Sequence, residues 1–228
     1  IGIIFSQSPD ELYNAANISL EAGNVSQAEA GFKAALEADL TFAPAYMGLA
    51  QVAIRKGDLD KTQQYIKEAI DVDPENQEFR DEFDRMNELY TLMNQGKRSM
   101  GNSEVDDAME SFRIAHKKFP TYSESVYSMG VVMARQKKYD EALDYFRQTA
   151  EINKESEKAS VAMNNIGRIY LKNGLQLYKR GDLDGAMEQF EKSISADESI
   201  FSSLFLSIII HCYVSKFDFS YSHRTKLY

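Results

Sequence analysis

The sequence predicts an all-α protein, a right-handed α-solenoid of about five helix-turn-helix pairs, two of them with lengthened first helices. Three observations carry this. A phrase of about fourteen residues recurs five times, beginning at Gly23, Gly57, Ser103, Lys137 and Gly181. An apolar stripe of helical spacing precedes each copy. Finally, only four prolines and twelve glycines occur in 228 residues, too few for the many tight turns of an all-β chain.

The second helix of each pair is written by the repeated phrase. A small residue recurs as Ala28, Thr62, Ala108, Ala142 and Ala186. Four residues on comes a bulky one: Phe32, Ile66, Phe112, Phe146 and Phe190. Three further on it is small again: Ala35, Ala69, Ala115, Thr149 and Ser193. Steps of four and three place these columns on one helical face. Two residues before the first column stand Ser26, Asp60, Asp106, Asp140 and Asp184. Their oxygens suit the unpaired N–H groups of a first turn, so they are the expected N-caps.

The first helix of each pair is written by the preceding stripe. In order the sets are Leu12, Ala15, Ala16, Ser19; Tyr46, Leu49, Ala50, Ala53; Leu92, Gln95, Gly96, Ser99; Val126, Met129, Gly130, Met133; and Tyr170, Asn173, Gly174, Leu177. The third member is always Ala or Gly, which lets a facing helix approach to roughly 8–10 Å. Gly23, Gly57 and Gly181 suit a left-handed C-cap between the paired helices. Pro74 and Pro120 fall where the second helix must stop.

The helix pair, the small-residue column, the Ala-x3-Phe-x2-Ala phrase and the trailing Pro together resemble the tetratricopeptide repeat. Copies one and two are spaced by that family's 34 residues, as are three and four. The resemblance covers about residues 9–200. It departs from the family pattern in having no Trp and no trailing Pro after copies one, four and five.

The spacing is not uniform. Gly57 and Gly181 lie 124 residues apart, whereas three periods of 34 make 102. The surplus of 22 falls as 12 between copies two and three and 10 between four and five. Three helical turns take about 10.8 residues, so each excess can lengthen a first helix and keep its facing side. Phe83, Met86 and Tyr90 extend one stripe, and Met163, Ile166, Gly167 and Tyr170 the other. Long helices are therefore expected near 76–101 and 156–179, with looped-out insertions as the alternative. The expected organisation is a lead-in over 1–8 and a solenoid over 9–199. Its repeats cover about 9–42, 43–76, 89–122, 123–156 and 167–200, with helical extensions 77–88 and 157–166. A divergent apolar tail fills 200–228.

Net charge of −9 and a pI near 5.0 disfavour nucleic acid, which wants a basic footprint, and simple docking on anionic lipid. The single cysteine, Cys212, excludes an intrachain disulfide and any multi-cysteine metal site. His116, His211 and His223 are too scattered for the common zinc spacings. No phosphate loop or paired metalloprotease motif occurs, and His211-Cys212 reads as incidental. We expect no enzyme activity, no metal and no cofactor.

In the family, the first helices line a concave wall. One column of residues beside the buried stripe reads Asn14, Gly48, Asn94, Ser128 and Asn165. Asparagines at this place hold the backbone of an extended ligand in peptide-binding members, since an Asn side chain both donates and accepts. The competing account is a common polar residue beside a helix core. A second set is Asn17, Gln51, Lys97 and Arg168, and a third Arg55, Arg135 and Lys172. These cations in an acidic protein favour an acidic peptide or a free carboxylate, against ordinary solvated helix faces with i, i+4 charge pairs. The carboxylate clamp of chaperone-docking members is not matched: Tyr13, Tyr90 and Glu124 stand where it wants Lys, although Asn17 follows correctly.

The function expected is thus a non-catalytic scaffold receiving a protein or peptide partner, an acidic one by charge. Two alternatives stand beside it: a non-catalytic arm of a larger enzyme, and a tail-anchored membrane receptor. The chain begins at Ile1 rather than Met, so an upstream segment is expected, and Ile1–Phe5 is too short and lacks the basic flank of a targeting core. The tail has three readings: a capping helix, a membrane anchor over 200–214, or sequence unrelated to the fold. Fifteen residues with three serines are short of the roughly 20 a span needs. A cytoplasmic location is the default expectation, and the oligomeric state is left open.

Overall fold

Each copy of the repeated phrase folds as the second helix of a pair. In the computed structural model, which describes residues 7–197, ten helices and no strands occur among the described residues. The pairs are α1 (Pro9–Glu21) with α2 (Val25–Ala38), α3 (Ala43–Lys56) with α4 (Leu59–Val72), α5 (Gln77–Gly101) with α6 (Val105–Lys118), α7 (Ser123–Arg135) with α8 (Tyr139–Ile152), and α9 (Glu157–Lys179) with α10 (Leu183–Ala196). The lengthened first helices are α5, of 25 residues, and α9, of 23. Neither insertion is looped out.

All fifteen residues of the three second-helix columns are buried. Their polar members are internally satisfied. Thr62 Oγ1 donates to the Asp58 carbonyl at 2.8 Å, Thr149 Oγ1 to Tyr145 at 2.9 Å, and Ser193 Oγ to Gly167 at 2.8 Å. Glycine on the first helix makes room for each phenylalanine. A Cβ on Gly96, Gly130 or Gly174 would stand 2.4–2.6 Å from the ring of Phe112, Phe146 or Phe190. Phe32 finds its glycine in the next pair, at Gly48. The first-helix stripe is narrower than the sequence suggests: Ala15, Gln95 and Asn173 are exposed. Leu49 and Met129, at the same place in the other two sets, are buried.

The N-caps also lie two residues earlier than expected, at Asn24, Asp58, Glu104, Lys138 and Asp182. Only Asp58 and Asp182 cap through the side chain, accepting from the amides of Lys61 and Gly185. Ser26, Asp60, Asp106, Asp140 and Asp184 instead fall inside the first turn. There the four aspartates face the positive end of the helix dipole. The turn before each cap is left-handed. Gly23, Gly57 and Gly181 have φ of 77°, 77° and 81°, and Ser103 and Lys137 adopt φ of 65° and 62° in the same place.

Contacts divide the chain into two compact units, the first ending at Ala159 and the second beginning at Ser160. In the first, consecutive helices from α1 to α8 pack on one another, and α3 also touches α7. Its core runs through Ile54, Ile66, Met86, Met93, Phe112, Tyr122 and Val126. In the second, Ala186, Met187 and Phe190 form a core with Leu171, Leu175 and Leu183 packed against it.

The first unit is tied across its own repeats. Ser123 Oγ, at the start of α7, donates to the Arg55 carbonyl at the end of α3. Gly57 packs against Glu124, and Glu124 pairs with Lys158 at 3.1 Å. The α1–α2 turn meets the α8–α9 connection in the same way. Lys154 Nζ donates to the Ala22 carbonyl at 2.8 Å, while the Ser26 amide and hydroxyl both donate to Glu155. The tail readings, the 200–214 anchor and the His211-Cys212 pair lie outside the described residues. No helix among the described residues is long and apolar enough to cross a membrane.

Candidate peptide interface

The C-terminal half of α5 carries a ridge between two clefts. Tyr90 and Asn94, four residues apart on one helical face, line both. On one side is a cleft of about 480 Å³, completed by Met93 and Lys97 of α5, the α3–α4 turn (Lys56 to Asp60), Tyr122 and Lys158. On the other is a cleft of about 520 Å³ with Gln95, Arg98, Asn102 and Glu104. Tyr90 is 44% exposed, a large aromatic surface left in water. Asn94 is half-buried, and among the described residues neither Asn94 nor Lys97 has a hydrogen-bonding or ion-pair partner.

Most charges around the first cleft are committed elsewhere. Lys56 and Lys33 both hold Glu29. Hydrogen bonds first from Lys33 and then from Lys56 take the Glu29 carboxyl down to about 2. Asp58 caps α4 and pairs with Lys61 at 3.1 Å. Lys158 is shared between Glu124 and the Tyr127 ring, 6.0 Å from its centroid. Burial, and then the nearby Glu124 charge, pushes the Tyr122 phenol well above its ordinary range, so it stays protonated.

The residues singled out from sequence fall into local groups. Asn94 and Lys97 share the cleft just described. Gln51 and Arg55 line another, of about 390 Å³. Arg168 and Lys172 line a third within the second unit, about 350 Å³, with Leu171, Leu175 and Lys179. Tyr13 is drawn into the core, its ring 5.5 Å from Phe32 and 5.7 Å from Phe42. Asn14 is exposed and Asn17 half-buried on α1, and Asn165 is exposed on α9. Arg135 is exposed, with the Met100 carbonyl at 3.5 Å. Two members of the asparagine column are buried: Gly48 lies under Phe32, and Ser128 faces inward on α7. The column is therefore not a continuous exposed ladder.

The sequence reading did not reach Lys56, Asp58, Asp60 and Lys158, because the turn of the preceding helix pair and the first turn of α9 bring them in. One signal was present: Glu124 and Lys158 are opposite charges 34 residues apart, one repeat period. No cluster of three or more metal-ligating side chains occurs among the described residues.

The family model for the tetratricopeptide repeat matches residues 13–77 and 93–157, more than half of the chain. The chain belongs to the tetratricopeptide repeat family. The repeats of this family mediate protein–protein interaction, and their carriers are typically non-enzymatic scaffolds. Several solved structures are similar to the chain at low identity. YrrB, described as having an unusual peptide-binding site, is 20% identical, with 89% of this chain and 90% of that chain covered and a TM-score of 0.29. PilW, a type IV pilus biogenesis factor, is 18% identical over 97% and 93%, with a TM-score of 0.32. PilF of Pseudomonas aeruginosa is 19% identical over 93% and 86%, with a TM-score of 0.32. A search of curated proteins finds no match.

Proposed function

We propose that the protein is a non-catalytic scaffold that holds a peptide or partner helix against the first helices of its repeats, centred on α5. The observation that carries this is Asn94, a half-buried amide without a protein partner, set beside the exposed Tyr90 in the wall shared by two clefts. An amide so placed can donate to a ligand carbonyl and accept from its N–H at once. Tyr90 supplies apolar area and a polar tip, a combination suited to interfaces. The acidic preference rests on Lys97 and Arg98, since Lys56 and Lys158 are committed to Glu29 and Glu124. Asn14, Asn17, Gln51, Arg55 and Arg135 in the first unit, and Asn165, Arg168 and Lys172 in the second, remain candidate contacts of the same partner class.

Selection from an acidic peptide library tests the reading. Tyr90→Ala with Asn94→Ala is expected to weaken the selected peptides at least tenfold, while Lys117→Ala on the exposed side of α6 changes nothing. Unchanged affinity in the double variant sinks the α5 site.

A further inference from the structure

The cleft of about 390 Å³ that Gln51 and Arg55 line opens between α3, the N-terminal extension of α5 and the α6–α7 connection. We propose that it binds a carboxylate carried on a small apolar group, gripped by the Arg55 guanidinium. It shares no lining residue with the two clefts beside Tyr90 and Asn94, so it stands or falls independently of that site.

Arg55 is half-buried and, among the described residues, its guanidinium makes no hydrogen bond or ion pair. Glu21 acts on it only through space, and burial dominates, drawing its pKa down. The other cations lining the cleft are occupied. Arg85 pairs with Glu82 and lies over the Phe119 ring, 5.5 Å from the centroid, and Lys118 pairs with Glu88. A partly desolvated guanidinium without an acceptor is costly. A carboxylate fits its planar fork with two parallel hydrogen bonds and offsets that cost.

The rest of the cleft narrows the ligand. Met47, Ala50, Ile54, Met86 and Phe119 give it an apolar wall, and its volume lies within the range of small-ligand pockets, about 300–1,000 Å³. Glu78 and Glu82 line it too. Glu82 is offset by Arg85, whereas the Glu78 charge opposes a dianion such as phosphate more than a monocarboxylate. The cleft owes its existence to the long helix. Glu78, Glu82, Arg85 and Met86 belong to the extra turns of α5, which a first helix of ordinary length lacks.

The carboxylate has two sources: a free apolar acid, or the last residue of a peptide. Calorimetric titration with 4-phenylbutyrate, 4-phenylbutyramide and a short peptide ending in Phe, with free or amidated carboxyl, separates them. Both probes with a free carboxylate are expected to bind, and both amides at least tenfold more weakly. The tighter carboxylate probe identifies the source. Arg55→Gln should lower carboxylate affinity by about 10- to 100-fold, the worth of one charge-assisted pair. Gln51→Glu is the second variant, at an exposed position one helical turn away, and places a competing carboxylate beside Arg55. It should weaken binding without disturbing the fold, as its melting curve would report. Lys117→Ala should change neither. Equal binding of acids and amides, no binding of either, or affinity unchanged in both Arg55→Gln and Gln51→Glu overturns the proposal.

Discussion

The Ser123 hydroxyl donates to the backbone carbonyl of Arg55, 68 residues earlier in the chain. The contact skips a whole helix pair. It joins the last turn of α3 to the first turn of α7, and Ser123 itself is only 4% exposed. The carbonyl belongs to a helix end, where the last four C=O groups have no partner within the helix. Ser123→Ala removes the donor from a partly buried acceptor. The expected loss is about 1 kcal/mol, read as a lower urea midpoint with an unchanged slope. No change in midpoint would mean that the hydroxyl contributes nothing.

The two glycine turns of the first unit should respond differently to alanine. Gly23 and Gly57 share the left-handed backbone, so each substitution carries strain of about 1–2 kcal/mol. At Gly23 the new methyl meets only the end of Lys154, at 3.3 Å from Cε, and that chain can swing away. At Gly57 it meets Glu124 Cβ at 2.9 Å, fixed to α7. Gly57→Ala should therefore be the more destabilising, and equal losses would show that the α3–α7 approach is loose. Lys137→Gly is the converse, relieving a left-handed lysine at φ 62° for a gain of up to about 1 kcal/mol.

Acid should selectively weaken the ties of Glu29. Its carboxyl is held at about 2, below the ordinary 4.5, chiefly by the Lys33 hydrogen bond and then by Lys56. A depressed carboxylate contributes stability that is present above about 4.5 and is lost as pH falls through the folded value. The stability difference between wild type and Glu29→Gln should be constant from pH 7 to about 5. It should then shrink between pH 4.5 and 2. The lysines are largely in water, so the difference is also expected to fall with salt. A pH-independent difference would contradict the pairing.

What could be read from the sequence was whatever repeats within one helix pair. Phe32, Phe112, Phe146 and Phe190 and the small residues around them announce themselves by spacing, because a helix returns to the same face every three or four residues. The surplus before Ser103 and Gly181 likewise became α5 and α9. The N-cap register was ambiguous because Asp58-Leu59-Asp60 offers two acids. Only the left-handed turn at Gly57 places the cap at Asp58. The ties Ser123–Arg55 and Ser26–Glu155 were out of reach. They depend on how helix pairs accumulate their rotation over several repeats, and no local pattern encodes that sum. The same contacts bring Lys158 to the cleft beside Asn94.

Gly96 and Gly101 sit five residues apart in α5 and separate helix propensity from packing. In a helix, Gly→Ala alone gains about 1 kcal/mol. At Gly101 nothing lies within 4 Å of the new methyl, so Gly101→Ala should be neutral to stabilising by up to about that amount. At Gly96 the methyl would stand 2.5 Å from Phe112 Cε1, and Phe112 is wholly buried. Overpacking of this kind costs about 1–3 kcal/mol, so Gly96→Ala should be net destabilising despite its propensity. Trimming the ring with Phe112→Leu makes room, so the double variant should lose less than the sum of the two single variants. Contacting residues typically show coupling of about 0.5–3 kcal/mol. Strict additivity in thermal or urea denaturation would show that the glycine column is not what seats the phenylalanines.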